Sequence, residues 1–312
     1  MSDFLKEPNE LDFIEKEMSF DINTDYINFP EIGDKNIFEA INDLSICRNE
    51  DVRKFINIYL TRGREHIKRY IERSYLYLDA VEEIFKENPD MPPELVLLPL
   101  LESGFNPFAV SRSKAVGLWQ FMAPTARMLG LKNDQWVDER RNVRKSTRAA
   151  IRHLRGLHMK FGSWKLALAG YNGGGNYVAR MLESSDTKDL WTLREAGVLY
   201  RETCEYVPRY IAIMVIYKNQ KLFGIEDEIT KPVLEEIKTV TVRRQTDLTV
   251  LSKRLKIPVS KIRSLNPELK QDKTPPVANY SLYLPSMAAI SFNEYDVKLA
   301  SMQKKLALFR LE

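Results

Sequence analysis

The sequence predicts a mainly α protein, with a large helical domain over residues 51–225 and a small β-α-α-β unit over 238–286. Three observations carry this. Between Asp51 and Gly224 apolar residues recur at helical spacing, as in Val52, Phe55, Ile56, Tyr59 and Leu60. After Gly224 the composition changes, and Ile237-Lys238-Thr239-Val240-Thr241-Val242 alternates as a strand does. Tyr280-Ser281-Leu282-Tyr283-Leu284-Pro285 suits a closing strand, with short helices expected over Leu248–Leu255 and Val259–Leu265 between the two.

Length and composition set the frame. A chain of 312 residues suits two domains of ordinary size. A net charge of +4 is too small to argue for nucleic acid, and none is expected as a partner. The balance is uneven, because residues 1–50 are acidic and 238–286 basic, so an anionic polymer and a plain solvated surface are both open for the basic part. No apolar stretch approaches the ~20 residues that span a bilayer. The N-terminus has neither a basic nor an apolar targeting region, so either the protein is cytoplasmic or a targeting segment has been removed. Cys47 and Cys204 either pair in an oxidising compartment or are two buried free thiols. The three histidines are scattered, no Cys/His cluster has metal spacing, and no metal or cofactor is expected. His66, His153 and His158 read as structural or surface residues. A monomer is expected.

Along the chain, residues 1–50 form an acidic N-terminal segment with helical hints at 9–18 and 36–44. Helices follow over 51–86. Further helical patterns cover 125–129, stopped at Gly130, then 146–161, 164–171 and 202–223. Residues 226–236 read as a linker, and 287–312 as a helical tail.

The run from Pro92 to Gly104 is the most apolar short segment. Its prolines can open a helix, its Leu and Val positions leave no polar face, and Gly104 supplies a stop, placing Glu102 in the last turn. Burial and the negative helix end both disfavour a charged carboxylate there. A carboxyl that keeps its proton near neutral pH is what general-acid catalysis needs. The segment alone leaves open an ordinary helix-end Glu in water.

Four ordered blocks then resemble one family: Leu98-Pro99-Leu100-Leu101-Glu102-Ser103-Gly104-Phe105-Asn106-Pro107, Gly117-Leu118-Trp119-Gln120-Phe121-Met122, Ala169-Gly170-Tyr171-Asn172-Gly173-Gly174, and Glu202-Thr203-Cys204-Glu205-Tyr206-Val207. They are similar to the catalytic domain of the lytic transglycosylases, the membrane-bound D type in particular. The resemblance covers roughly residues 50–224 and implies a lysozyme-like α fold. The basic unit more loosely resembles a lysin motif, although Arg244-Gln245-Thr246-Asp247 stands where that motif usually has Gly-Asp-Thr. Glycan binding and a structural add-on are both open for it.

The resemblance implies cleavage of the β-1,4 bond between N-acetylmuramic acid and N-acetylglucosamine, with Glu102 as acid and then base and a 1,6-anhydro product. It also implies substrate-binding roles for Ser103, Gln120, Tyr171, Asn172 and Tyr206, with Tyr206 supporting the protonated form of Glu102. Hydrolysing glycosidases usually use two carboxyls, and the pattern offers no obvious second. Peptidoglycan glycan strands are the implied partner, and the periplasm or cell envelope the implied location. The rivals are a non-catalytic peptidoglycan-binding protein and a lysozyme-like hydrolase that uses water. Trp119, Phe121 and Met122 are expected in the core, and Asp138, Glu139, Arg140 and Arg141 in structural ion pairs. Glycines at 170, 173 and 174 are expected to loosen their loop.

Overall fold

A computed structural model describes residues 49–293 of the chain. Residues 1–48, including Cys47 and the expected N-terminal helices, and residues 294–312, most of the expected tail, lie outside the described residues. The chain divides into two compact units: one runs to Leu131 and resumes over 143–232, and the other joins residues 132–142 to residues from 233 onward.

The first unit is helical. Its elements are α1 (Glu50–Leu60), α2 (Arg64–Ser74), α3 (Leu78–Lys86), a 3-10 turn (Pro93–Leu97), α4 (Leu98–Ser103), α5 (Ala123–Met128), α6 (Val143–Phe161), α7 (Trp164–Gly173), α8 (Gly175–Glu183), α9 (Leu190–Glu195) and α10 (Arg201–Lys218). Asn49 caps α1 by accepting from the Asp51 and Val52 amides. Helix α10 is the centre, with every residue from Thr203 to Ile216 buried. A helix apolar on nearly all sides has to be enclosed, and α10 packs against α1, α7 and α4.

The apolar run before Glu102 is not one helix. Pro99 has no N–H to donate to the carbonyl four residues back, so a 3-10 turn hands over to the six-residue α4. Helices α8 and α9 were not foreseen, since Gly173-Gly174-Gly175 reads as loop. Gly174, at φ 92°, makes the break between α7 and α8.

The second unit pairs β1 (Ile237–Val242) with β2 (Tyr280–Pro285) antiparallel, Ile237 opposite Pro285 and Val242 opposite Tyr280. Between them lie α11 (Leu248–Leu255) and α12 (Val259–Leu265). Asp247 caps α11 by accepting from the Thr249 and Val250 amides, so this residue of the atypical loop starts a helix. Residues 132–142 belong to this unit. Val137 enters its apolar core with Trp136 packed beside it, and the Asp138 amide donates to the Glu268 carbonyl at 2.8 Å. The Arg140–Asp138 ion pair forms at 2.7 Å, and Glu139 accepts the Lys132 amide at 2.8 Å. No ion pair of Arg141 occurs among the described residues. No helix among the described residues is long and apolar enough to cross a membrane.

Candidate active site

Helix α4 carries Glu102 one residue from its end. Gly104 closes it in the left-handed region at φ 54°, its amide returning to the Leu100 carbonyl at 3.2 Å while Phe105 N–H reaches Pro99 at 3.0 Å. Arg73 of α2 donates to the Gly104 carbonyl at 3.0 Å. A Cβ on Gly104 would lie 2.1 Å from the Tyr70 ring, so this stop admits no side chain. Ser103 does not line the cleft. Its hydroxyl donates to the Leu118 carbonyl at 2.9 Å and accepts from the Asn106 amide at 3.2 Å, tying α4 to the next block.

That block is a tight turn closed by the Val116–Phe121 bridge, with Gln120 at φ 47°. Trp119 is wholly buried, its indole N–H donating to the Thr147 hydroxyl at 3.0 Å, and Phe121 is buried too. Met122 is not core as expected. It precedes α5 with extended backbone, and this turns its side chain 42% into solvent. The Gln120 amide donates back to Gly117 O at 2.8 Å, and its side chain lines the cleft.

From α7, the Tyr171 hydroxyl donates to the Trp119 carbonyl at 2.8 Å. Asn172 donates to Glu202 at 3.3 Å and accepts from the Thr203 hydroxyl at 3.2 Å. The neighbouring glycines do not simply loosen this segment. A Cβ at Gly173 would meet the Thr203 hydroxyl at 2.6 Å and one at Gly170 the Phe161 ring at 2.9 Å, so both glycines permit close packing. Cys204, beside Thr203 on α10, is buried and free, its thiol donating to the Leu199 carbonyl at 3.4 Å.

Glu102, Gln120, Tyr171 and Asn172 thus line one cleft of about 780 Å³. Tyr206 stands behind it and donates its hydroxyl to Glu102 Oε1. Burial drives the Glu102 carboxyl up to about 7, the Tyr206 hydrogen bond opposes the rise, and the charge of Glu202 adds to it. Tyr206 therefore does not support the protonated acid as expected. A phenol that donates to a carboxylate favours the ionised form. Burial, with the charge of Glu102 next, holds the Tyr171 and Tyr206 hydroxyls well above the usual phenol range, so both are donors.

Four further residues, given no site role from the sequence, belong to or support the cleft. Glu202 is a second carboxyl in the cleft, carried there by the first turn of the helix that holds Tyr206. Thr203, buried, holds Asn172. Tyr177 lines the cleft from the first turn of α8. His153, read from the sequence as structural or at the surface, lines the cleft with its ring 5.4 Å from that of Tyr171, and burial pushes its imidazole below its usual range. Its spacing with Leu157 and Lys160 on α6, which also line the cleft, put all three on one helix face.

Residues 79–193 match the Transglycosylase SLT domain, and residues 236–301 match the LysM-like domain of lytic transglycosylase MltD. Membrane-bound lytic murein transglycosylase D of Escherichia coli K12 is 31% identical over 245 residues, 76% of this chain and 53% of that protein. The protein of the same name from E. coli O6:H1 matches at the same identity and coverage. The chain spans about half the length of these curated relatives. Among solved structures, the 70 kDa soluble lytic transglycosylase of E. coli matches with a TM-score of 0.41 and 18% identity, over 60% of this chain and 31% of that one.

Proposed function

We propose that this chain, a homologue of membrane-bound lytic murein transglycosylase D that carries an SLT transglycosylase domain and a LysM-like domain, cleaves peptidoglycan glycan strands. The bond is the β-1,4 link between N-acetylmuramic acid and N-acetylglucosamine, and the product end is 1,6-anhydro-N-acetylmuramic acid. One observation carries this reading: Glu102 is a half-buried carboxyl on a cleft wall, raised by burial to about 7. Such a group is well populated in both protonation states near neutral pH, as an acid that becomes a base must be.

Glu102 protonates the glycosidic oxygen as the C1–O bond breaks. The carboxylate left behind takes the proton of the muramic C6 hydroxyl as that oxygen bonds to C1. Glu102 ends protonated as it began, and no water is consumed. The attack is intramolecular, and good orientation of such a reaction contributes up to about 7–11 kcal/mol. Tyr206 holds the carboxyl oxygen and steadies the ionised half of the cycle. Gln120, Tyr171 and Asn172 bind the sugar from the cleft wall, while Ser103 positions α4. Such a substrate puts the working location in the periplasm or cell envelope.

Glu202 favours one second reading. Two carboxyls facing one cleft are the ordinary equipment of a water-using glycosidase. Mass spectrometry of digested, purified peptidoglycan separates the two. Anhydro-muropeptides are expected; products heavier by one water would establish the hydrolase instead. Glu102→Gln should lower turnover by about 10²–10⁴-fold. Cleavage at the wild-type rate by that variant would remove Glu102 from the chemistry.

A further inference from the structure

Two tyrosines flank the site and take no part in the chemistry above. Tyr177 lies in the first turn of α8, just past the Gly174 break that follows Asn172, and Tyr200 immediately precedes α10, which carries Glu202 and Tyr206. Their rings stack with planes 5° apart and centroids 4.6 Å apart. The Tyr200 amide donates to the Tyr177 hydroxyl at 2.8 Å, fixing the pair from a second direction. Tyr177 lines the cleft, while Tyr200 is 70% exposed.

Local rules do not account for Tyr200. It is the N-cap of a long helix, a position that favours Ser, Thr, Asp or Asn, and its side chain makes no capping bond. A large ring is instead held rigid in solvent at the end of a buried helix. Functional sites are where a protein is expected to forgo a local preference. An exposed aromatic surface continuous with a cleft is a binding surface in the ordinary sense.

We propose that Tyr200, backed by Tyr177, is a sugar-stacking platform that extends the Glu102 cleft by one subsite, so that longer glycan strands bind more tightly than short ones. A pyranose ring presents an apolar C–H face with hydroxyls around its edge. Laid on a phenol ring it buries the face and keeps the edge wet, the match that an amphipathic aromatic offers. Because the Tyr200 ring stacks on Tyr177, whose hydroxyl is itself held by the Tyr200 amide, little rotamer freedom is lost on binding. Lys160 and Asn176, joined at 3.0 Å, line the cleft together with Tyr177 and supply polar groups there.

This inference rests on the proposed action on glycans, and its test is separable from that proposal. The full chain carrying Glu102→Gln is titrated calorimetrically with N-acetylglucosamine oligomers from dimer to hexamer, with and without Tyr200→Ala, Tyr200→Phe or Tyr200→Leu. Affinity for the longest oligomers should fall about three- to tenfold for the Ala and Leu variants, stay unchanged for Phe, and be unaltered for the shortest oligomers that bind. Equal loss at every length would make the pair a structural clasp, and no loss at any length would remove the platform; either overturns the proposal. Thermal melting of each variant guards against a folding defect, with Tyr200→Phe as the rescue. Cleavage by the unsubstituted chain, measured separately, decides the activity. Strand cleavage without length-dependent loss rejects the platform alone, and absence of both binding and cleavage rejects the two together.

Discussion

The proton on Glu102 is governed by opposing neighbours. Burial raises its carboxyl, Tyr206 lowers it and Glu202 raises it again. Loss of the Tyr206 hydroxyl removes a bond to the ionised form, so Tyr206→Phe should move the alkaline limb of kcat/KM to higher pH. Loss of the Glu202 charge acts the other way, and Glu202→Gln should move that limb to lower pH. In the parent, activity should fall about tenfold per pH unit well above 7, where the protonated acid is depleted. Rate profiles between pH 5 and 9 check both directions, and limbs that coincide in the three proteins would refute this electrostatic picture. Glu102 itself is legible in the sequence because an apolar run and a glycine stop lie within thirteen residues of chain. Glu202 is not, because a glutamate in the first turn of a helix has an ordinary dipole explanation and its neighbour Asn172 is thirty residues away. The sign of the Tyr206 effect needs to be known from which atom donates, and composition does not give that.

Short elements place these side chains, and their ends matter more than their middles. Helix α4 is only six residues long, too short to be stable by itself, and it is held by its termini. The Gly104 stop, the Arg73 donor and the Ser103 hydroxyl together fix it against α2 and the Gly117–Phe121 turn. Gly104→Ala forces a Cβ into the Tyr70 ring and keeps a non-glycine residue at positive φ, which should cost about 2–4 kcal/mol. Urea unfolding measures that cost, and a loss under 0.5 kcal/mol would show that Tyr70 moves aside freely. The ends of β1, α11, α12 and β2 coincide with the sequence pattern because period changes, Asp247 and Asn266-Pro267 punctuate them. The single helix expected before Glu102 fails for a physical reason visible at Pro99, whose missing N–H outweighs an uninterrupted apolar pattern.

At the scale of the whole chain, sequence order and spatial order differ. Residues 132–142 fall inside the span that matches the SLT domain, yet they complete the core of the second unit. Val137 is 4% exposed among Val240, Leu269 and Leu284, and Lys270 N–H donates to the Trp136 carbonyl at 2.9 Å. Val137→Asp would bury an unpaired carboxylate there and should weaken the second unit by on the order of 3 kcal/mol. Hydrogen exchange reads this directly: protection should fall at Leu251, Ile262 and Leu282 and hold at Ile211 and Met214 of α10. Equal loss in both places would mean that the two units unfold together. No pattern in the sequence announced this, since structural ion pairs expected among Asp138, Glu139, Arg140 and Arg141 do not say which core lies beside them, and the Glu268 carboxylate that Asn142 meets is 126 residues away.

The same segment imposes an order on synthesis. Trp136 and Val137 leave the ribosome about a hundred residues ahead of β1, and β2 follows some forty residues later still. At ~5–20 residues per second, the two apolar side chains wait on the order of 5–30 s for the core they will occupy. Helices α6 to α10 are made during that interval, so the first unit can collapse around an open loop whose apolar tip has no partner yet. The second unit closes only when β2 arrives, and a chain stalled before Tyr280 would carry that tip exposed as a point of attack for proteases and of capture by chaperones.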